Sequence, residues 1–112
     1  MVIHSKKFMI IAVPTNTAKE ILPADNSRAA HSVAWIQNFN TTAGFWLVAE
    51  VGDAPSPATV AIGEGIFLPP GQEIAGVAVP ATLVMDKPAL VSAKWSAIQD
   101  FGSTVNLYIG RM

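Results

Sequence analysis

Ser32-Val33-Ala34-Trp35-Ile36-Gln37-Asn38 is followed by Phe39-Asn40-Thr41-Thr42-Ala43-Gly44 and then by Phe45-Trp46-Leu47-Val48-Ala49. Two short runs rich in aromatic and β-branched residues flank a segment of Asn, Thr and Gly. That pattern reads as two strands joined by a hairpin-length turn. Phe45 and Trp46 are adjacent, so on a strand their side chains leave opposite faces. One enters the core. The other looks outward, to cover a sheet edge or to dock a partner.

The same punctuation recurs on both sides of this passage. Upstream, Ala18 to Leu22 ends at the loop signal Pro23-Ala24-Asp25-Asn26-Ser27, and Phe8 to Val13 ends at Pro14-Thr15-Asn16. Downstream, Gly52-Asp53-Ala54-Pro55-Ser56-Pro57 is an exposed loop, because proline cannot donate to a ladder. A short strand at Thr59 to Ile62 is expected next, then Ile66-Phe67-Leu68. Pro69-Pro70-Gly71-Gln72 reads as a tight turn with Gly71 in the left-handed position. Glu73 to Val79, Leu83 to Met85, Ala89 to Ile98 and Thr104 to Ile109 complete the extended runs. Val91, Trp95 and Ile98 also have partial helical spacing, so Ala89 to Ile98 is the one window that competes as a short helix. Short runs at this spacing predict an all-β chain. The expected fold is a single antiparallel β-sandwich, jelly-roll or Greek-key like, with at most one short helix. Residues 1–16 form an N-terminal arm and first strand, and 17–112 the sandwich, one domain overall.

Composition bounds the function. The chain has 112 residues, 51% hydrophobic and 13% charged, with a net charge of −1 and no cysteine. A charged fraction near half the usual ~25% excludes disorder. A net charge near zero argues against a nucleic-acid partner, which requires a basic face. Without cysteine there is no disulfide framework and no thiolate metal site. Lys6-Lys7 before Phe8 to Val13 mimics the start of a signal peptide, but the apolar run is shorter than the ~7–15 residues of a signal core and far short of the ~20 of a membrane span. It reads as a strand, and no membrane partner is expected. So few charges leave apolar area outside a small core, which favours association.

Chemistry-bearing residues are sparse. His4 and His31 stand apart, with neither HxH nor HExxH spacing. The acids Glu20, Asp25, Glu50, Asp53, Glu64, Glu73, Asp86 and Asp100 fall singly. Ser32 beside His31 lacks the G-x-S-x-G elbow, and Gly63-Glu64-Gly65 lacks the third glycine of a phosphate loop. Asn40-Thr41-Thr42 fits a glycosylation sequon without a secretory signal. No catalytic residue, cofactor or metal is expected, and the protein is not read as an enzyme. The aromatics carry more information: Trp35, Trp46, Trp95, Phe39, Phe45, Phe67, Phe101 and Tyr108 are enough to build a sandwich core. An outward ring among them would stack on a sugar or dock a protein.

Ile21-Leu22-Pro23-Ala24-Asp25-Asn26-Ser27-Arg28, then Trp35-Ile36-Gln37-Asn38, then Phe45-Trp46-Leu47 resembles a pattern of small virion proteins of tailed bacteriophages. Gly65-Ile66-Phe67-Leu68-Pro69-Pro70-Gly71-Gln72-Glu73 is similar to a hairpin of that family. Trp95-Ser96-Ala97-Ile98 with Gly102 to Ile109 is similar to its closing strands. The likeness runs over roughly residues 17–109 and is interrupted by the longer segment Gly76 to Lys87. It implies a β-sandwich structural protein of a phage particle. The expected role is a head decoration (cement) protein on the outer surface of the capsid, with the major capsid protein and further copies of itself as partners. A homotrimer suits the three-fold positions of an icosahedral shell. A sugar- or receptor-binding module of a tail or fibre protein is the alternative. Val2, Ile3, Lys6 and Lys7, an arm of apolar and basic character, and the outward Trp46 are the candidate capsid or subunit interface. Arg28 would tie the loop that precedes it.

Overall fold

The structure, a computed structural model, describes residues 7–24, 32–50 and 60–112. Eight of its strands form nested antiparallel pairs. β1 (Lys7–Val13) pairs with β10 (Val105–Arg111), β2 (Lys19–Leu22) with β9 (Lys94–Ile98), β3 (Ala34–Asn38) with β8 (Ala81–Met85), and β4 (Phe45–Glu50) with β5 (Ile66–Leu68). The chain is therefore one long antiparallel ribbon doubled back at β4–β5. Rolling the ribbon brings β10 beside β3 and β4 beside β9. The result is two four-stranded sheets, β1-β10-β3-β8 and β2-β9-β4-β5. This is the jelly-roll form of the antiparallel sandwich. Between β5 and β8 the chain adds a separate two-stranded hairpin, β6 (Gln72–Ile74) and β7 (Val77–Val79).

The core follows from strand alternation. Val105, Leu107 and Ile109 of β10 face Phe45 and Leu47 of β4 and Trp95 and Ala97 of β9 within one buried cluster, which Ile36, Val13 and Met85 extend. Phe45 and Trp95 are 0% and 1% exposed, and removing side chains of that size from water contributes about 2–3 kcal/mol each. The central strand β9 is buried along its whole length, Lys94 to Ile98. Its sequence still alternates, with Trp95 and Ala97 in the core cluster and Lys94 and Ser96 on the other face, yet both faces are covered.

Buried amides fasten both ends of the sandwich. Asn38 closes β3: its Nδ2 donates to the carbonyls of Ala43 at 2.7 Å and Pro69 at 3.0 Å, and its Oδ1 accepts from the Asn40 N–H at 3.0 Å. Gln99, next after β9, donates from Nε2 to the carbonyls of Val13 at 3.0 Å and Ser103 at 2.9 Å. Its Oε1 accepts from the Phe101 N–H at 2.6 Å. The buried Arg111 donates from Nε to the Val91 carbonyl and from one terminal nitrogen to the Ala93 carbonyl, both at 2.9 Å. Those carbonyls belong to the last residue of the single-turn helix α1 (Pro88–Val91) and to the stretch just after it, where helix geometry leaves acceptors unfilled.

Five local expectations are corrected. The passage from Asn38 to Phe45 is a crossing between sheets and not a hairpin, because β3 and β4 lie in opposite sheets. The described part of the expected strand at Thr59 to Ile62 is a turn region, in which the Glu64 N–H donates to the Ala61 carbonyl at 3.0 Å. Gly71 does not have positive φ. It is glycine because a Cβ there would lie 2.7 Å from the Asn38 carbonyl oxygen. Glu73 to Val79 is split into two strands by a turn. Ala89 to Ile98 begins as α1 and becomes β9, where Trp95 Nε1 donates back to the Leu90 carbonyl at 2.9 Å.

Candidate functional site

The described acids form no cluster. Glu20, Glu64, Glu73, Asp86 and Asp100 are exposed, and Glu50 is paired with the buried Lys94 at 3.0 Å. Among the described residues, no group of three His, Cys, Asp or Glu side chains is placed to hold a metal ion, and no helix is long and apolar enough to cross a membrane. His4, Asp25, Arg28, His31 and Asp53 lie outside the described residues. Asn40 serves its own loop: Oδ1 accepts from the N–H and Oγ1 of Thr42 and from the N–H of Ala43 at 2.7–2.9 Å. That side-chain turn accounts for an Asn at this position.

Among the described residues, most of the exposed large apolar side chains gather on three surfaces. The first is the β6–β7 hairpin. Its register sets Gln72 opposite Val79 and Ile74 opposite Val77, so these four share one face, with Glu73 and Ala78 on the other. Ile74, Val77 and Val79 are 56%, 63% and 41% exposed. The connecting turn has positive φ at both central residues, 51° at Ala75 and 78° at Gly76, the mirror-image turn that matches strand twist.

The second surface is the outer face of the β1-β10-β3-β8 sheet. Register places Ile10, Tyr108, Gln37 and Thr82 in one row across all four strands. In the next row Trp35 stands between Gly110 and Val84. A Cβ at Gly110 would overlap the Trp35 ring, so the glycine is what lets the indole lie on the sheet. Ala12 and Asn106 add the row at the far end. No charged residue occupies these outward positions. At that end Phe39 meets Tyr108 edge to face, ring centroids 5.0 Å apart and planes at 75°. An open cleft of about 310 Å³ lies beside the pair, lined also by Asn40, Thr104, Val105 and Asn106.

The third surface holds Trp46. As expected from its neighbour, Phe45 is buried and Trp46 lies on the outer face of β4, half-buried against Phe67 of edge strand β5 with ring centroids 5.0 Å apart. Trp46 thus packs on its cross-strand neighbour Phe67, which stays half exposed. Of the other expected interface residues, Val2, Ile3 and Lys6 lie outside the described residues, and the backbone of Lys7 pairs with Arg111 at the start of β1. Sequence reading misses the hairpin and the charge-free sheet face. The first is signalled only by Gly76. The second depends on registers between strands far apart in the chain. No family model matches the chain, and no curated protein or solved structure is significantly similar to it.

Proposed function

We propose that the protein is a phage virion structural protein, a capsid decoration (cement) protein that binds the outer surface of the head shell and stabilises it without catalysing a reaction. The observation that carries this reading is the β6–β7 hairpin, whose apolar face of Ile74, Val77 and Val79 is open to solvent beside the sandwich. A cement protein needs a small stable body and a surface that holds other proteins, and an apolar β-hairpin on a jelly roll supplies both. The fold supports the reading by analogy alone, since jelly rolls serve in viral capsid domains. The proposed partners are the major capsid protein and further copies of this chain, as a trimer at three-fold positions. Purified protein added to shells lacking it is expected to bind them and raise their thermal disruption temperature, while Val77→Lys binds far more weakly and keeps its fold. Shells that neither bind nor gain stability from the wild-type protein would overturn the reading.

A sugar- or receptor-binding module of a tail or fibre protein is the second reading, favoured by the cleft beside Phe39 and Tyr108. Ring faces with Asn40, Thr104 and Asn106 beside them are the combination that recognises saccharides, and jelly rolls also serve as lectins. A glycan array that reports binding lost in Phe39→Ala would favour it over the first.

A further inference from the structure

The outer faces of the two sheets differ. On the β2-β9-β4-β5 sheet the outward residues of β9, Lys94, Ser96 and Ile98, are 6%, 1% and 7% exposed, and this face carries the Lys94–Glu50 ion pair. On the β1-β10-β3-β8 sheet the outward rows are open, with Ile10 and Val84 53% and 61% exposed at opposite edges and Trp35 and Tyr108 half-buried between them. A sheet that faces water on one side normally alternates apolar with polar or charged residues. Here both edges and the centre of the water-facing side are apolar, aromatic or neutral.

We infer that this face is a self-association surface, covered in the working protein by a second copy of the chain. Two arguments select that occupant. The first is charge. A surface without charges offers no complement to an acidic or basic partner, and two copies of it meet without the like-charge repulsion that any lysine or glutamate there would bring. The second is size. Four strands about 4.8 Å apart and five to seven residues long make a face roughly 20 Å square, about 400 Å² in projection against the ~800 Å² that each partner contributes to a standard interface. An added peptide strand covers a quarter of that width. Another sheet of the same breadth and twist covers all of it, and like-twisted sheets stack about 10 Å apart at a small angle.

The inference rests on the proposal that the protein acts as an oligomer and gives it a different symmetry: a face that covers itself joins copies in two-fold pairs, in place of the trimer. Sedimentation of the wild-type protein at micromolar concentration is expected to give a mass of twice 11.8 kDa. Ile10→Lys/Val84→Lys, at exposed positions, is expected to weaken association about a hundredfold or more, with an unchanged circular dichroism spectrum. Ile10→Glu/Val84→Glu should behave alike, and an equimolar mixture of the two monomeric variants should recover an assembled species. Val77→Lys on the hairpin should leave the mass unchanged. A wild-type protein that stays at 11.8 kDa, charged variants that assemble as wild type does, or a mixture that stays monomeric each overturns the inference. Shell binding read on the same samples separates it from the decoration reading: self-association without shell binding defeats only that reading.

Discussion

Gln99→Leu tests how much one buried amide holds together. The wild-type side chain is 0% exposed and makes three hydrogen bonds, to the carbonyls of Val13 and Ser103 and from the Phe101 N–H. Leucine fills a similar volume and makes none of them. Phe101 and Ser103 are exposed, so water can replace the lost partner, and each bond is then worth about 0.5–1.5 kcal/mol. Val13 is 0% exposed, and its carbonyl, deprived of the side-chain donor, adds about 1–3 kcal/mol. The added apolar burial offsets about 1 kcal/mol, which leaves a net loss of roughly 1–5 kcal/mol, centred on about 3. For a domain of this size that corresponds to a fall in Tm of about 10 °C or more, readable by calorimetry. Gln99→Glu adds a pH test. The introduced carboxyl keeps an acceptor for the Phe101 N–H but turns negative oxygen towards two carbonyls, so its folded pKa rises above the unfolded value of about 4.3. A raised folded pKa means that this variant is relatively more stable below about pH 4, where the protonated acid can donate, and loses stability as pH rises towards neutrality. A Gln99→Leu protein within about 1 kcal/mol of wild type, less than one net hydrogen bond at the upper end of the range, would refute the reasoning.

At the hairpin tip, Ala75→Asn should stabilise the turn and Gly76→Ala destabilise it, each by about 0.5–1 kcal/mol. Amide hydrogen exchange across β6–β7 will resolve the two directions, and equal protection in both variants would contradict the backbone argument. Gly110→Ala drives a methyl into the Trp35 ring and should destabilise by about 1–3 kcal/mol, with a shift in tryptophan fluorescence; an unchanged spectrum and Tm would show that the indole does not lie on the sheet. Arg111→Met removes the donors to Val91 and Ala93 and is expected to lower stability by about 2–4 kcal/mol, measured by denaturant titration, and a neutral result would count against their role in holding α1.

Strand positions are legible wherever a run alternates and ends at a turn residue, as Ala34–Asn38 and Phe45–Glu50 do. The opposed faces of Phe45 and Trp46 follow from the period of two alone. The illegible parts have specific causes. β9 alternates over Lys94 to Ala97, but Val91, Trp95 and Ile98 imitate helical spacing across the junction with α1 and blur where the helix ends and the strand begins. The hairpin is hidden because Ala75, at φ 51°, is not a residue that announces a turn. The connection from Asn38 to Phe45 has the length of a hairpin loop, and nothing local says that the amide of Asn38 steers it across the core. The charge-free face is the least visible, since Ile10, Tyr108, Gln37 and Thr82 become neighbours only through pairings between distant strands.

The nested pairing also sets an order of events in time. β1 lies at a sheet edge with β10 as its ladder partner, so Lys7–Val13 leaves the ribosome well before residues 105–111 and waits for them before it can pair. Until then a β-prone apolar segment is unpaired, the state in which strands find the wrong partner. Among the described strands, early pairing is open to β4 with β5 and to β6 with β7, and the wider pairs close around them. Such non-local closure places folding in the millisecond-to-second range typical of β-sandwiches, and it makes the latest of these strands to be synthesised the one that commits the earliest.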